Sequence, residues 1–403
     1  MPASIFANVE MAPRDPILGL NEAYNADTRA EKVNLGVGVY YDDGGKIPLL
    51  AAVREAEKVR LAAMPPRGYQ PIEGPAGYNQ AVQQLLFGND SPLLANGQVI
   101  TIQALGGTGA LKVGADYLKR LLPNAKVYIS DPSWENHRAL FEFAGFTVET
   151  YPYYEPVTRG VDFVAMKARL EGLDAGSIVL LHACCHNPTG ADLRDDQWQE
   201  VVGICRERGL VPFLDMAYQG FADGIEPDAV AVRAFAASGL QFVISSSFSK
   251  SFSLYGERVG ALSVVTASKD ESARVLSQIR RVIRTNYSNP PTHGGAVVAA
   301  VLASPELMAM WQSELAAMRD RIRAMRTGLV DALKAEGVTQ DFSFVVQQHG
   351  MFSYTGLTVG QVEFLKSEFG IYAVSTGRIC LAALNSRNLG YVARAIGSAV
   401  SSA

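Results

Sequence analysis

The chain has 403 residues, 48% hydrophobic and 19% charged, which supplies a large buried core and argues against a disordered chain. Its net charge of −4 comes with no basic block or stripe, so composition gives no basis for nucleic-acid binding. The length favours more than one domain, and no apolar run approaches the ~18 residues of a bilayer span, so a soluble, cytoplasmic protein is expected.

The N-terminal stretch Met1–Asp15 lacks a charged-then-apolar leader pattern, and Pro2, Pro13 and Pro16 predict an extended arm. Short apolar runs then alternate with amphipathic segments. Val99–Ile102 reads as a strand, followed by Gly106-Gly107-Thr108-Gly109 and a helix to about Leu122. Lys126–Ser130 reads as a strand, and Trp134–Ala144 as a helix closed by Gly145. Ile178–His182 is strand-like and leads into Asn187-Pro188-Thr189-Gly190; Asp195 or Asp196 then caps a helix ending near Gly209. Val211–Asp215 and Phe242–Ser247 complete the apolar runs. Such strands, separated by helices, predict an α/β fold with a mostly parallel central sheet flanked by helices. Beyond Ser304 a long helix, Leu307 to about Glu336, precedes strands at Met351–Tyr354 and Arg378–Leu381 and helices at about Val359–Phe369 and Leu389–Ser398. This predicts a smaller α+β domain that the N-terminal residues can join. The expected division is 1–47 for the arm and part of the small domain, 48–310 for the large domain and 311–403 for the small C-terminal domain. Cys184, Cys185, Cys205 and Cys380 have no CxxC spacing and read as free buried thiols, with no zinc or other metal site.

In open α/β sheets, ligands gather at the carboxyl ends of strands, where the polar and glycine-rich segments of this chain fall. Ser247-Phe248-Ser249-Lys250 presents a lysine on a hydroxyl-lined turn, and a lysine whose pKa is lowered is a nucleophile that forms Schiff bases. Taken alone it reads equally as a solvated surface residue. Arg258 follows, and lysine, hydroxyls and arginine together suit an aldehyde cofactor bearing a phosphate. Asp215 ends an apolar strand, where a buried carboxylate needs a partner such as a protonated pyridine nitrogen; a helix N-cap is the plainer reading. Tyr218 stands three residues on. Gly107 and Thr108 open a helix whose free N–H groups suit phosphate. Trp134 at a strand end can stack on a planar ring, and His137 can bond Asp215 from behind.

Gly-Gly-Thr-Gly-Ala, Asp-Pro-Ser-Trp-Glu-Asn-His, His186-Asn187-Pro188-Thr189-Gly190, Asp215-Met216-Ala217-Tyr218-Gln219-Gly220-Phe221 and Ser-Phe-Ser-Lys-Ser-Phe occur in this order. The combination resembles class I aminotransferases, nearest the bacterial aspartate and aromatic amino acid branches, over nearly the whole chain. The resemblance implies the aspartate-aminotransferase fold (pyridoxal-phosphate fold type I) and a homodimer with shared active sites. It implies that Lys250 holds pyridoxal 5'-phosphate as a Schiff base and shuttles a proton, that Asp215 pairs with the pyridinium, and that Asn187 and Tyr218 bond the phenolic oxygen. Trp134 stacks on the ring, while Gly107, Thr108, Ser247, Ser249 and Arg258, with Tyr69 from the other subunit, hold the phosphate. Arg378 clamps the substrate α-carboxylate, Gly38 lies against the substrate, and Arg284 crosses the interface to a distal carboxylate. Catalysis is then ping-pong through pyridoxamine phosphate, with amino acids and 2-oxo acids such as 2-oxoglutarate as small-molecule partners.

Specificity is mixed in the sequence. Tyr41 and Ile47 at the pocket mouth resemble the aromatic branch, and an apolar rim lowers the cost of dehydrating an aromatic side chain. The runs Tyr69–Gly74 and His182–His186 resemble it too, whereas Thr108 and Asn289 resemble the aspartate branch. The expectation is transamination of tyrosine, phenylalanine and tryptophan as well as aspartate and glutamate; the alternative is an aspartate-specific enzyme. Another pyridoxal-phosphate reaction fits two carboxylate-binding arginines less well. A non-enzymatic regulator on this fold would carry an added basic DNA-binding module, and a dinucleotide-dependent oxidoreductase a fingerprint that is missing.

Overall fold

The computed structural model describes residues 4–401. Seven strands make the main sheet: β1 (Val99–Leu105), β2 (Lys126–Asp131), β3 (Thr147–Pro152), β4 (Ile178–His182), β5 (Val211–Met216), β6 (Phe242–Ser247) and β7 (Val259–Val265). Their spatial order is β1-β7-β6-β5-β4-β2-β3. All neighbours are parallel except β7, which runs antiparallel to both β1 and β6. Every residue of β4, β6 and β7 is buried, because helices cover both faces and leave no side for alternating polar residues. The five apolar runs read as strands are all present; β3 and β7 are additional.

The Gly106–Leu121 helix follows β1 directly and buries Ala110, Leu111, Val113, Gly114, Tyr117 and Leu118 against the sheet. Two expected boundaries move. Trp134 is the extended N-cap of a helix over Glu135–Phe143, ahead of Gly145 at φ +94°. The Asp195–Arg208 helix is capped at Arg194, not at Asp195 or Asp196, because the Arg194 backbone is still extended. Its N–H donates to Gln197 Oε1 at 2.9 Å, and both aspartates occupy the first turn, where the helix dipole favours negative charge.

The Pro305–Ala335 helix begins with Ser304 accepting the Leu307 N–H and a proline in its first turn. It buries Trp311, Leu315, Met318, Ile322, Arg326, Leu329 and Leu333, a spacing that keeps one face inward. At its start Trp311 Nε1 donates to Ser251 O at 2.6 Å in the main-sheet lobe. Further along it packs on the Leu389–Ser401 helix of the smaller lobe. There Phe352–Tyr354 pairs antiparallel with Arg378–Cys380. Val33–Asn34 pairs parallel with Ile371–Tyr372, so N-terminal residues do join the C-terminal lobe. Of the expected arm, Met1–Ala3 lie outside the described residues; the remainder holds a turn at 5–8 and exposes Ile5, Phe6, Val9 and Met11. All four cysteines are free and buried, and no single described helix is long and apolar enough to cross a membrane.

Candidate active site

The sheet register brings together side chains that are far apart in sequence. Asp215, near the carboxyl end of β5, sits beside His182 of β4 on one side and Ser245 of β6 on the other. Ser245 Oγ donates to Asp215 Oδ1 at 2.9 Å, and His137 Nε2 donates to Oδ2 at 2.9 Å. An ionised carboxylate only accepts, so His137 donates from Nε2, and its Nδ1 pairs with Ser133 Oγ at 3.0 Å. Burial opposes ionisation of Asp215, but these hydrogen bonds and the neighbouring imidazoles hold its carboxyl below the usual carboxylate range. Behind lies a run of rings: His137 to His182 at 5.0 Å, His182 to His186 at 4.2 Å, and Tyr153 stacked on His186 at 3.9 Å. Burial lowers His182 to about 3, so this imidazole is neutral, and neither of its nitrogens has a hydrogen-bond partner.

Lys250 stands on the turn between β6 and β7. Its Nζ lies 4.8 Å from the centre of the Tyr218 ring. Burial lowers its amine to about 8; nearby Asp215 opposes the shift and Arg258 adds to it. A lysine in this state keeps a sizeable neutral fraction near neutrality, which an exposed lysine does not.

Because β7 is antiparallel, its first residues return to the sheet edge where β1 and β6 end: Val259 pairs with Leu105 and Gly260 with Ser247. Arg258 therefore reaches the N-terminus of the Gly106–Leu121 helix. The Gly106 N–H donates to Arg258 O at 2.9 Å, and Gly106 has φ +68°. That backbone conformation favours glycine, and a Cβ there would lie 2.6 Å from Arg258 Nη2, so the arginine would have to shift. Arg258 Nη1 contacts Ser249 Oγ at 3.4 Å, and the Ser249 N–H donates to Ser247 Oγ at 3.3 Å. Gly107 and Thr108 follow in the first helical turn. Helix N–H groups, two hydroxyls and a guanidinium thus surround one point, the donor set of an anion site.

The smaller lobe contributes Arg378, which is 1% exposed. Nη1 donates to Asn187 Oδ1 at 3.0 Å and Nη2 to Gly36 O at 2.7 Å, while Nε is buried without a partner. The guanidinium lies 4.4 Å from the centre of the Phe352 ring, which is itself 6.0 Å from the Tyr218 ring. A Cβ at Gly38 would lie 2.7 Å from Phe352 Cζ, so only glycine lets this segment approach.

Lys250, Asp215, Tyr218, Asn187, Arg378, Gly107, Ser247, Ser249 and Arg258 are thus linked through contacts, directly or through one neighbour. Trp134 joins through its edge-on contact with His137 at 5.1 Å. Thr108, in the first helical turn, and Gly38, against Phe352, also lie at the site, while Tyr69, Ile47, Tyr41 and Arg284 stand apart. Tyr69 is 95% exposed and Ile47 48% exposed; Tyr41 is half-buried, with its N–H on Ala382 O. Arg284 is exposed near the end of the Lys269–Asn286 helix and bonds Ser288 Oγ. Ser133, Ser245, His182 and Phe352 enter the site without having been singled out for it. A polar residue at the end of each neighbouring apolar strand was the available signal for His182 and Ser245.

Known proteins resemble the chain over nearly its whole length. The family description "Aminotransferase class I and II" matches residues 30–396. The chain is 68% identical to an aspartate aminotransferase of Pseudomonas aeruginosa, covering 98% of this chain and 99% of that one. It is 52% identical to an aromatic-amino-acid aminotransferase of Escherichia coli, covering 97% and 99%. The crystal structure of an aromatic-amino-acid aminotransferase from Burkholderia pseudomallei, covalently bound to pyridoxal phosphate, superposes with a TM-score of 0.97 at 69% identity, covering 98% and 100%. With the family matched over most of its length and relatives of this identity covering nearly all of it, the chain belongs to the class I and II aminotransferases.

Proposed function

We propose that this chain transaminates both aromatic and dicarboxylic amino acids, using Lys250 to hold pyridoxal phosphate and Arg378 to hold the substrate. The observation that carries the reading is the continuous line of contacts from the Lys250 amine past Tyr218 and Phe352 to a buried guanidinium with an unpartnered Nε. An amine kept partly neutral and a carboxylate receptor at one cleft are what exchange of an amino group requires.

The residues fit the cofactor. Asp215 is a buried carboxylate hydrogen-bonded to His137 and Ser245, and among the described residues no lysine or arginine forms an ion pair with it, which suits a protonated ring nitrogen. The anion cradle would take the phosphate through Gly107, Thr108, Ser247, Ser249 and Arg258. Asn187 and Tyr218 would bond the phenolic oxygen, and Trp134 would cover the ring. When bound, pyridoxal phosphate supplies an electron sink that acidifies the substrate Cα–H. Asp215, held anionic by its hydrogen bonds, would favour a proton on the ring nitrogen. Arg378 orients the α-carboxylate, with Nε and the fork geometry available for a two-point grip. Lys250, once free, takes the Cα proton as general base and later returns it.

The relatives' names divide between aspartate and aromatic amino acids at nearly equal identity, 68% and 69%, which supports dual specificity. Tyr41 and Ile47 supply an apolar rim for an aromatic side chain, and Arg284 a cation for a distal carboxylate. A homodimer with shared sites is supported by the exposure of Tyr69 and of Ile5, Phe6, Val9, Met11, Leu61 and Met64, apolar surface that a second copy would cover. Four buried free thiols suit a reducing, cytoplasmic setting. The division at 1–47, 48–310 and 311–403 is supported by the pairing of Val33–Asn34 with Ile371–Tyr372, and the Pro305–Ala335 helix spans the second boundary. The test is the half-reaction of purified enzyme, following cofactor absorbance with aspartate and phenylalanine separately. Conversion by both is expected; conversion by aspartate alone makes the enzyme aspartate-specific.

A further inference from the structure

Arg326 lies in the middle of the Pro305–Ala335 helix and is 2% exposed. Among the described residues no carboxylate forms an ion pair with it. Its guanidinium instead collects backbone carbonyls from a single segment: Nη1 donates to Val345 O at 2.8 Å, and Nη2 contacts His349 O at 3.2 Å, Gly350 O at 2.8 Å and Phe352 O at 2.6 Å. That segment has little regular structure of its own, a short helix over Phe344–Gln347 and then the strand starting at Phe352. Its carbonyls point at one centre because a planar, multiply donating cation is there to receive them.

The segment ends against the carboxylate receptor. Phe352, whose carbonyl Arg326 holds, puts its ring 4.4 Å from the Arg378 guanidinium and allows only glycine at position 38. The His349 N–H donates to Gly190 O at 2.7 Å, and a Cβ at Gly190 would lie 2.7 Å from Phe352 O. Gly190 closes the loop that carries Asn187, the acceptor of Arg378 Nη1. Arg326 therefore braces two neighbours of Arg378, the ring beneath it and the loop beside it. None of its hydrogen bonds reaches Lys250, Asp215 or the anion cradle.

We propose that Arg326 is a positioning residue for the substrate α-carboxylate, fixing the plane of Arg378 through Phe352 and the Asn187 loop; this rests on the reading of Arg378 as the carboxylate receptor. Misplacement of a binding group by a fraction of an ångström is felt in substrate affinity long before the fold is lost. The experiment uses holoenzyme and compares Arg326→Lys with Leu329→Ala, a buried change nearly one turn along the same helix that leaves the Arg326 bonds intact. Arg326→Lys should raise KM for an amino acid and for a 2-oxo acid roughly tenfold, with kcat within about twofold, and weaken succinate binding by the same factor. Cofactor affinity and absorbance should be unchanged, and Leu329→Ala should lower Tm without moving KM. An unchanged KM in Arg326→Lys, or an equal rise in Leu329→Ala, overturns the proposal. Phe352→Leu keeps the test open if the Arg326 variants do not fold: it should reproduce the KM rise, and failure to do so also overturns it. Arg378→Lys separates the two readings. If that variant leaves KM unchanged, the carboxylate assignment itself is wrong; if it raises KM while Arg326→Lys does not, only the positioning role falls.

Discussion

Replacing Arg378 with lysine asks whether the fork of its guanidinium, beyond its charge, recognises substrate. Lysine keeps the cation and most of the length, but it offers a point charge in place of two parallel donors. Nη1 and Nη2 already serve Asn187 and Gly36, and the partnerless Nε marks capacity left for a ligand. Losing one charge-assisted bond to the carboxylate costs about 1.5–3 kcal/mol, which is roughly a 10- to 150-fold rise in KM. Every substrate in both half-reactions carries the same α-carboxylate. The rise should therefore be similar for aspartate, phenylalanine and 2-oxoglutarate, with the cofactor absorbance unshifted. The assay is single-turnover absorbance against substrate concentration for each compound. A KM change confined to dicarboxylic substrates, or no change at all, would refute the assignment.

Lys250→Ala should abolish turnover while the protein still folds, and borohydride should no longer fix the cofactor on the chain. In cofactor-free wild type the amine is held at about 8 against 10.5 when unfolded, so the unfolded state binds more protons between those values and stability rises with pH across that window. Melting curves should therefore show Lys250→Ala gaining most over wild type near pH 7 and losing that gain by about pH 10.5; a pH-independent difference would contradict it. Arg284→Leu should impair aspartate and 2-oxoglutarate far more than phenylalanine, by about tenfold or more in kcat/KM, and equal losses would make Arg284 structural. Tyr41→Lys with Ile47→Thr should lower the phenylalanine-to-aspartate ratio of kcat/KM by roughly tenfold, and an unchanged ratio would mean ordinary variation at the rim.

Much of this architecture is legible in the sequence because buried parallel strands are continuous apolar runs, and polar residues placed at their ends have few reasons to be there. Asp215, Lys250 and the glycines after β1 stand out on that ground. What pairing alone creates does not stand out. His182 and Ser245 become neighbours of Asp215 only once β4, β5 and β6 are in register. The direction of β7 has no sequence signal, yet it brings Arg258 to the helix N-terminus. Arg326 sits in a charged helical stretch where a solvated face is the natural reading; its burial follows from carbonyls contributed some twenty residues later. Tyr69 and Arg284 lie on the surface, so the role proposed for them rests on the proposed homodimer.

The antiparallel course of β7 has a mechanical consequence. Lys250 and Arg258 lie on one connection between adjacent strands of the same sheet, so the amine and the guanidinium proposed to hold the cofactor are carried by the same element. Arg378 is carried by the other lobe, on a strand that among the described residues pairs only with Phe352–Tyr354. A rotation of one lobe against the other would change the reach from the Lys250 amine to the Arg378 guanidinium while leaving the proposed cradle its shape, so the proposed grip on substrate would open for exchange while the cofactor stayed seated.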